Sequence, residues 1–197
     1  YINCTDWVIK NRRPGFGESG CREKKGKSKM KVMGKQRNSK MCIVCGMENP
    51  IGLKAQFYNM EDESVMTIFK YSEEFQSFPQ RVHGGLIATM LDELGLRALW
   101  AKKRSEDIFG VTVSIEIKYR KPVPYDETLI GKGSVKRETS RFIVACTELF
   151  DKNGQLLANA EVKYMKSDVN KISKEVDSHE EMCYLIDDGI KEIEFEN

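Results

Sequence analysis

The stretch QRVHGGLIATMLDELGLRALW, Gln80 to Trp100, carries a long helical period and is flanked on both sides by segments that alternate with period two. Such a chain has to lay a sheet over one central helix. At about 100° per residue, Leu86, Ile87, Met90, Leu91, Leu94, Ala98 and Ala101 share a face, and that face must pack on the sheet. Leu96, Leu99 and Trp100 lie on the other side, with the small residues Ala88 and Thr89 nearby. A helix apolar nearly all round needs a second cover. A partner subunit is the economical source of it.

The flanking segments set the fold class. LKAQFY and SVMTIF, joined by the acidic turn MEDE, predict a hairpin before the helix. The loop EEFQSFPQRV leads into it. After it, GVTVSIEIKY alternates Val111, Val113, Ile115, Ile117 and Tyr119 with polar residues, and the two prolines of KPVPYDE break the run. TLIGKGSVKRE, RFIVACTELF and LLANAEVKYM give three more strands with short TS and DKNG links, which favour antiparallel pairing. The expectation is an α+β domain over residues 41–167, an antiparallel sheet wrapped around one long helix.

Charge separates the ends from this domain. Residues 1–40 hold 12 Lys+Arg against 3 Asp+Glu, although the whole chain carries only +2. GESGCREKKGKSKMKVMGKQRNSK lacks apolar periodicity, so 1–40 is expected to be a disordered basic extension. It has no aromatic interleaving and no nucleic-acid module, so no nucleic-acid partner is expected. The chain begins at Tyr1, and codons for Lys, Glu, Arg and Gly are those of a purine-rich ribosome-binding stretch. Met30 or Met33 is therefore expected to start the native protein. Residues 168–197 are expected to form a peripheral, partly helical acidic tail. No apolar run reaches the ~18 residues of a membrane span, so no membrane partner is expected. No secretory signal is evident, and six cysteines then point to reduced thiols in a cytoplasm.

Two carboxylates interrupt the helix. Glu93 has Arg97 four residues on, an i,i+4 pair worth about 0.2–0.5 kcal/mol. Asp92 has Ala88 and Leu96 at those offsets and no local partner. Glu93 thus reads as structural and Asp92 as reserved for chemistry, a solvated surface carboxylate being the alternative. Gly84 and Gly85 stand where the first helical N–H groups lack internal acceptors. Without Cβ atoms they admit a ligand to the backbone, and the helix dipole favours negative charge there. One such donor to an oxyanion is typically worth roughly 3–4 kcal/mol. About two turns separate Gly84 from Asp92, so they meet one substrate through an extended ligand or from neighbouring subunits.

In HGGLIATMLDELG, GVTVSIEIKYRKPV, LLANAEVKYMK and the upstream CIVCGMENPIGL, residues 41–166 resemble the hotdog-fold acyl-CoA thioesterases, in particular the group related to phenylacetyl-CoA and 4-hydroxybenzoyl-CoA thioesterases. The resemblance implies a hotdog fold, a side-by-side homodimer or dimer of dimers, sites at the subunit interface and an acyl-CoA substrate. It places Asp92 at the catalytic acid position, as general base or nucleophile, and Gly84 N–H on the carbonyl with Gly85 beside it. It places His83 by the thioester and Thr112 where a hydroxyl helps to hold water. Gln76 replaces the Asn that many relatives carry before HGG. Arg120 and Lys121, at the end of the long strand, are candidates for the CoA phosphates. No metal and no cofactor are expected. Cys42-x-x-Cys45 lacks a second ligand pair, and a redox CxxC wants a βαβ context. His179 reads as solvated. The competing functions are a hydratase or dehydratase using His83 and Asp92, and a non-catalytic acyl-CoA binding or sensing module.

Overall fold

The computed structural model describes residues 27–106, 108–167 and 181–196. Its elements are β1 (Lys27–Lys35), β2 (Gln56–Met60), β3 (Val65–Phe69), α1 (Gly84–Lys103), β4 (Phe109–Tyr119), β5 (Leu129–Glu138), β6 (Phe142–Asp151), β7 (Leu156–Ser167) and β8 (Glu192–Glu196). The strands form one sheet in the order β4-β7-β6-β5-β3-β2-β1-β8, and every neighbouring pair is antiparallel. A long helix, α1, lies on one face, chiefly over β5 and β6. This is the α+β arrangement expected from the patterning and the hotdog fold that the resemblance implies.

Both faces of the sheet are dry over its middle strands. Neighbouring residues are buried together at Phe57–Tyr58, Val65–Met66, Leu129–Ile130 and Leu149–Phe150. Since side chains alternate across a strand, each pair feeds two cores. Phe57, Val65, Leu129 and Leu149 pack with α1, whereas Tyr58, Met66, Ile130 and Phe150 pack with Met30, Met60 and Ile193 on the far side.

That far side corrects the expected boundaries. Residues 27–40 are not a loose extension. β1 pairs with β2 and β8, and Met30 is buried against the sheet. A chain starting at Met33 would lack six of the nine residues of this strand. The C-terminal segment likewise ends in a strand, β8, on the edge of the sheet. The expectations for residues 1–26 and 168–180, His179 included, lie outside the described residues.

The glycines of β5 set the depth of the helix. A Cβ on Gly133 would lie 2.6 Å from the Leu94 carbonyl oxygen, so a glycine is needed for α1 to sit this close. The helix opens on His83 and closes on Arg104, a left-handed residue with φ 50°, after Lys102 and Lys103. Cations in that last turn suit the helix dipole.

The second cover of α1 comes from the chain itself. Leu99 and Trp100 are buried without a partner subunit, and the Trp100 indole N–H donates to the Ile108 carbonyl at 2.6 Å. The segment after β1 lies against the Glu93 side of the helix, bringing Gln36, Val44 and Cys45 into the interior. Arg97, expected as the i,i+4 partner of Glu93, is 1% exposed. Its guanidinium donates to Glu93 Oε1 at 2.8 Å, to the Arg37 carbonyl at 2.8 Å and to Gln36 Oε1 at 3.3 Å. It also stands 4.5 Å from the Phe57 ring centroid and 4.7 Å from that of Trp100.

Removing one partner of a buried ion pair strands the other charge, which typically costs about 3–5 kcal/mol. Arg97→Ala is expected to lose stability on that scale in urea unfolding, far beyond the ~0.2–0.5 kcal/mol of an exposed helical pair.

Candidate active site

The start of α1 is pinned by its approach loop. The His83 N–H donates to the Phe75 carbonyl, the Val82 N–H donates to the Val123 carbonyl, and Gln76 bridges to Val82. The His83 ring then caps the helix, with Nδ1 accepting from the Gly85 N–H at 3.0 Å. The two glycines therefore differ. Gly85 N–H is satisfied, whereas Gly84 N–H meets no acceptor among the described residues. Gly84 is the donor free for a ligand, and Gly85 acts through the cap. The Tyr119 hydroxyl donates to the Gly84 carbonyl at 2.9 Å, and its ring lies 3.6 Å from where a Gly84 Cβ would stand.

Two turns along, Asp92 is half-buried against β4 and β7. The Thr112 hydroxyl donates to its carboxylate, 3.0 Å from Oδ1 and 3.2 Å from Oδ2. The Tyr164 hydroxyl donates to its backbone carbonyl. That contact exists because position 95 is glycine: a Cβ there would lie 2.2 Å from the tyrosine oxygen. Burial raises the Asp92 carboxyl above the ordinary carboxylate range, with the Glu93 charge adding to it, while hydrogen bonds from Thr112 and Tyr164 act the other way. A partly desolvated carboxylate held by a neutral hydroxyl is suited to accept a proton or attack a carbonyl.

Asp92 and Gly84 share a helix but not a point. Eight residues at ~1.5 Å each separate them by about 12 Å, whereas one thioester needs both within ~3 Å of its reacting atoms. Within a single chain they do not converge.

The other sequence candidates spread around this frame. Gln76 reaches the helix start through its backbone bridge to Val82, and its side chain is exposed. Arg120 and Lys121 follow Tyr119, exposed at the Gly84 end, with Arg120 Nε donating to Asn159 Oδ1 at 2.7 Å. Tyr119 and Tyr164 escaped the sequence reading. Gly95 was the signal for Tyr164, since a glycine inside a helix costs about 1 kcal/mol and implies close approach of something bulky. Cys42, Cys45 and Glu93 bring one donor atom each within 4.8 Å of one another, a cluster hidden from spacing because Glu93 is far along the chain.

Residues 80–158 match the family model described as the thioesterase superfamily. With the sheet and helix above, this part of the chain is similar to the thioesterase superfamily, and its arrangement is the hotdog fold. Among curated proteins, the acyl-coenzyme A thioesterase THEM4 of Rattus norvegicus is 29% identical over 128 residues, covering 64% of this chain and 53% of that protein. The chain thus spans about half the length of this curated relative. Of the solved structures, a thioesterase superfamily protein superposes with TM-score 0.57 at 25% identity, covering 63% of this chain and 59% of that one. The Escherichia coli PaaI protein from the phenylacetic acid degradation operon superposes with TM-score 0.52 at 16% identity over 58% of this chain and 80% of its own, a likeness of fold.

Thr112→Val deletes a hydrogen bond that favours the charged form of Asp92, leaving burial less opposed. The carboxyl should hold its proton to higher pH, so its midpoint in a carbon-13 NMR titration is expected to move up.

Proposed function

We propose that this chain is an acyl-CoA thioesterase, cleaving a thioester to free acid and CoA in a site shared by two copies of itself. The observation that carries the reading is the pairing of a half-buried, hydroxyl-bound Asp92 with an unpartnered Gly84 N–H on the same helix, in a domain similar to the thioesterase superfamily. Gly84 N–H, at the positive end of α1, holds the oxygen of the tetrahedral intermediate. Asp92 takes a proton from water as general base, or adds to the carbonyl itself; both roles use the same carboxylate. Thr112 orients it, and His83 lines the thioester while its ring fixes the helix start. Arg120 and Lys121 offer positive charge to the CoA phosphates, and Gln76 sits on the loop beside the mouth. The cytoplasm is the compartment this reading takes, in keeping with thiols at Cys42, Cys45 and Cys183 that no disulfide joins among the described residues.

The ~12 Å between Gly84 and Asp92 favours a composite site, with the glycine of one protomer facing the aspartate of the other. Strand β4 supports a homodimer, single or doubled. Among the described residues it ends the sheet with its outer edge unpaired, and it exposes Val111, Val113 and Tyr119 beside Met165 of β7. Long apolar edges are seldom left open in solution. The hydratase reading needs His83 and Asp92 to act as a couple, but His83 Nδ1 is engaged by the Gly85 N–H.

Following thiol release over a panel of acyl-CoAs tests the activity. Asp92→Asn should lower turnover by orders of magnitude while the melting temperature stays close to wild type; undiminished turnover would reject the assignment. Gly84→Pro removes the free N–H at the first helical position, which tolerates proline, and should cost roughly 10²–10³ in kcat. Mixed Asp92→Asn and Gly84→Pro protomers rebuild one intact site per heterodimer if sites are shared. A 1:1 mixture should then recover roughly a quarter of wild-type turnover. No recovery would place both groups in one chain.

A further inference from the structure

The cysteine pair upstream of β2 is not used by the thioester chemistry. Cys42 and Cys45 stand in one tight turn closed by the Gly46 N–H on the Cys42 carbonyl at 2.8 Å. A Cβ on Gly46 would lie 2.4 Å from that carbonyl oxygen, so glycine is required for the turn to close. In a turn of this kind residues three apart have Cα atoms roughly 5 Å apart, inside the span a disulfide bridges. The two sulfurs lie within 4.8 Å of each other and of a Glu93 carboxylate oxygen.

We propose that Cys42 and Cys45 form a reversible dithiol–disulfide couple, closed by a small hydroperoxide. Cys45 is buried, its Sγ 3.4 Å from the Ser39 hydroxyl, while half-buried Cys42 accepts the Val44 N–H at 3.3 Å. The buried Arg97 guanidinium shares the pocket, a fixed positive charge supplied by α1 rather than by a helix start. The Cys42 thiol's hydrogen bond, the Arg97 charge and the Ser39 hydroxyl together lower Cys45 to about 7 against the effect of burial, and Cys42 is pushed up in return. The two thiols titrate as a coupled pair, and the hydrogen bond between them favours loss of the first proton.

The chemistry closes without a cofactor. The Cys45 thiolate attacks one oxygen of hydrogen peroxide, the O–O bond breaks, and hydroxide leaves, giving Cys45 sulfenic acid. Cys42 then loses its thiol proton and attacks that sulfur; the S–O bond breaks and water departs. Two electrons pass from the thiols to the peroxide, and a dithiol reverses the step by exchange. A hydroperoxide is small enough for a buried sulfur, whereas bulky disulfide oxidants are excluded. A metal ion fits less well, since Arg97 already neutralises Glu93 and repels a cation.

The test treats the full chain with graded hydrogen peroxide, alkylates the remaining thiols and weighs the peptides. The exposed Cys183 serves as internal control. Expected is loss of two hydrogen masses from the peptide holding Cys42 and Cys45 at doses that leave Cys183 alkylatable, restored by dithiothreitol. Cys42→Ser and Cys45→Ser should each abolish it. The closing rate should climb through pH about 7, below the ~8.5 of an ordinary thiol. Oxidation of Cys183 first, with the pair still alkylatable, would overturn the proposal. So would one zinc per chain in the purified protein that both serine variants lose. None of these readouts depends on thioesterase activity.

Discussion

The close seat of α1 on its sheet is the constraint from which the rest follows. Two glycines permit it. Gly133 lets β5 approach the Leu94 carbonyl, and Gly95 lets the Tyr164 ring slide beneath the helix to bond the Asp92 carbonyl. The first sets the depth of the helix and the second its rotation. Given both, the Asp92 side chain faces Thr112 on β4, and the helix start faces Tyr119 on the same strand. A methyl group at either glycine would force apart elements that carry the chemistry.

Adjacent carboxylates on α1 have opposite fates because a helix turns about 100° between neighbours. Glu93 faces the segment that follows β1, where Arg97, clamped between Phe57 and Trp100, neutralises it. Asp92 faces β4 and receives a hydroxyl, with no cation paired to it among the described residues. Asp92, partly buried beside neutral donors, remains able to take a proton. The same guanidinium reaches the Cys42–Cys45 turn, so one buried cation serves the ion pair and the thiols together.

The uneven charge along the chain has a structural use. Basic β1 lies beside acidic β8, with Lys29 paired to Glu192 and Glu194 and Lys35 to Asp187 and Asp188. These are largely surface contacts of modest worth. They accompany burial of Met30 and Ile193, which closes the far face of the sheet.

Periodicity in the sequence determined α1, the six strands from β2 to β7 and the antiparallel class, because apolar spacing of 3.6 or 2 is a local property that burial on one face imposes. It also separated Asp92 from Glu93, since the partner of Glu93 lies one helical turn away. Strands β1 and β8 were illegible: each is short of apolar residues and is stable because the other supplies complementary charge and a hydrophobic contact from the opposite end of the chain. For the same reason the burial of Arg97 went unread, Tyr164 read as one more strand position, and nothing linked Cys42 to Glu93. Those assignments depend on which distant segments meet, and only the folded sheet, by bringing residues 36–45, α1 and β7 into contact, decided them.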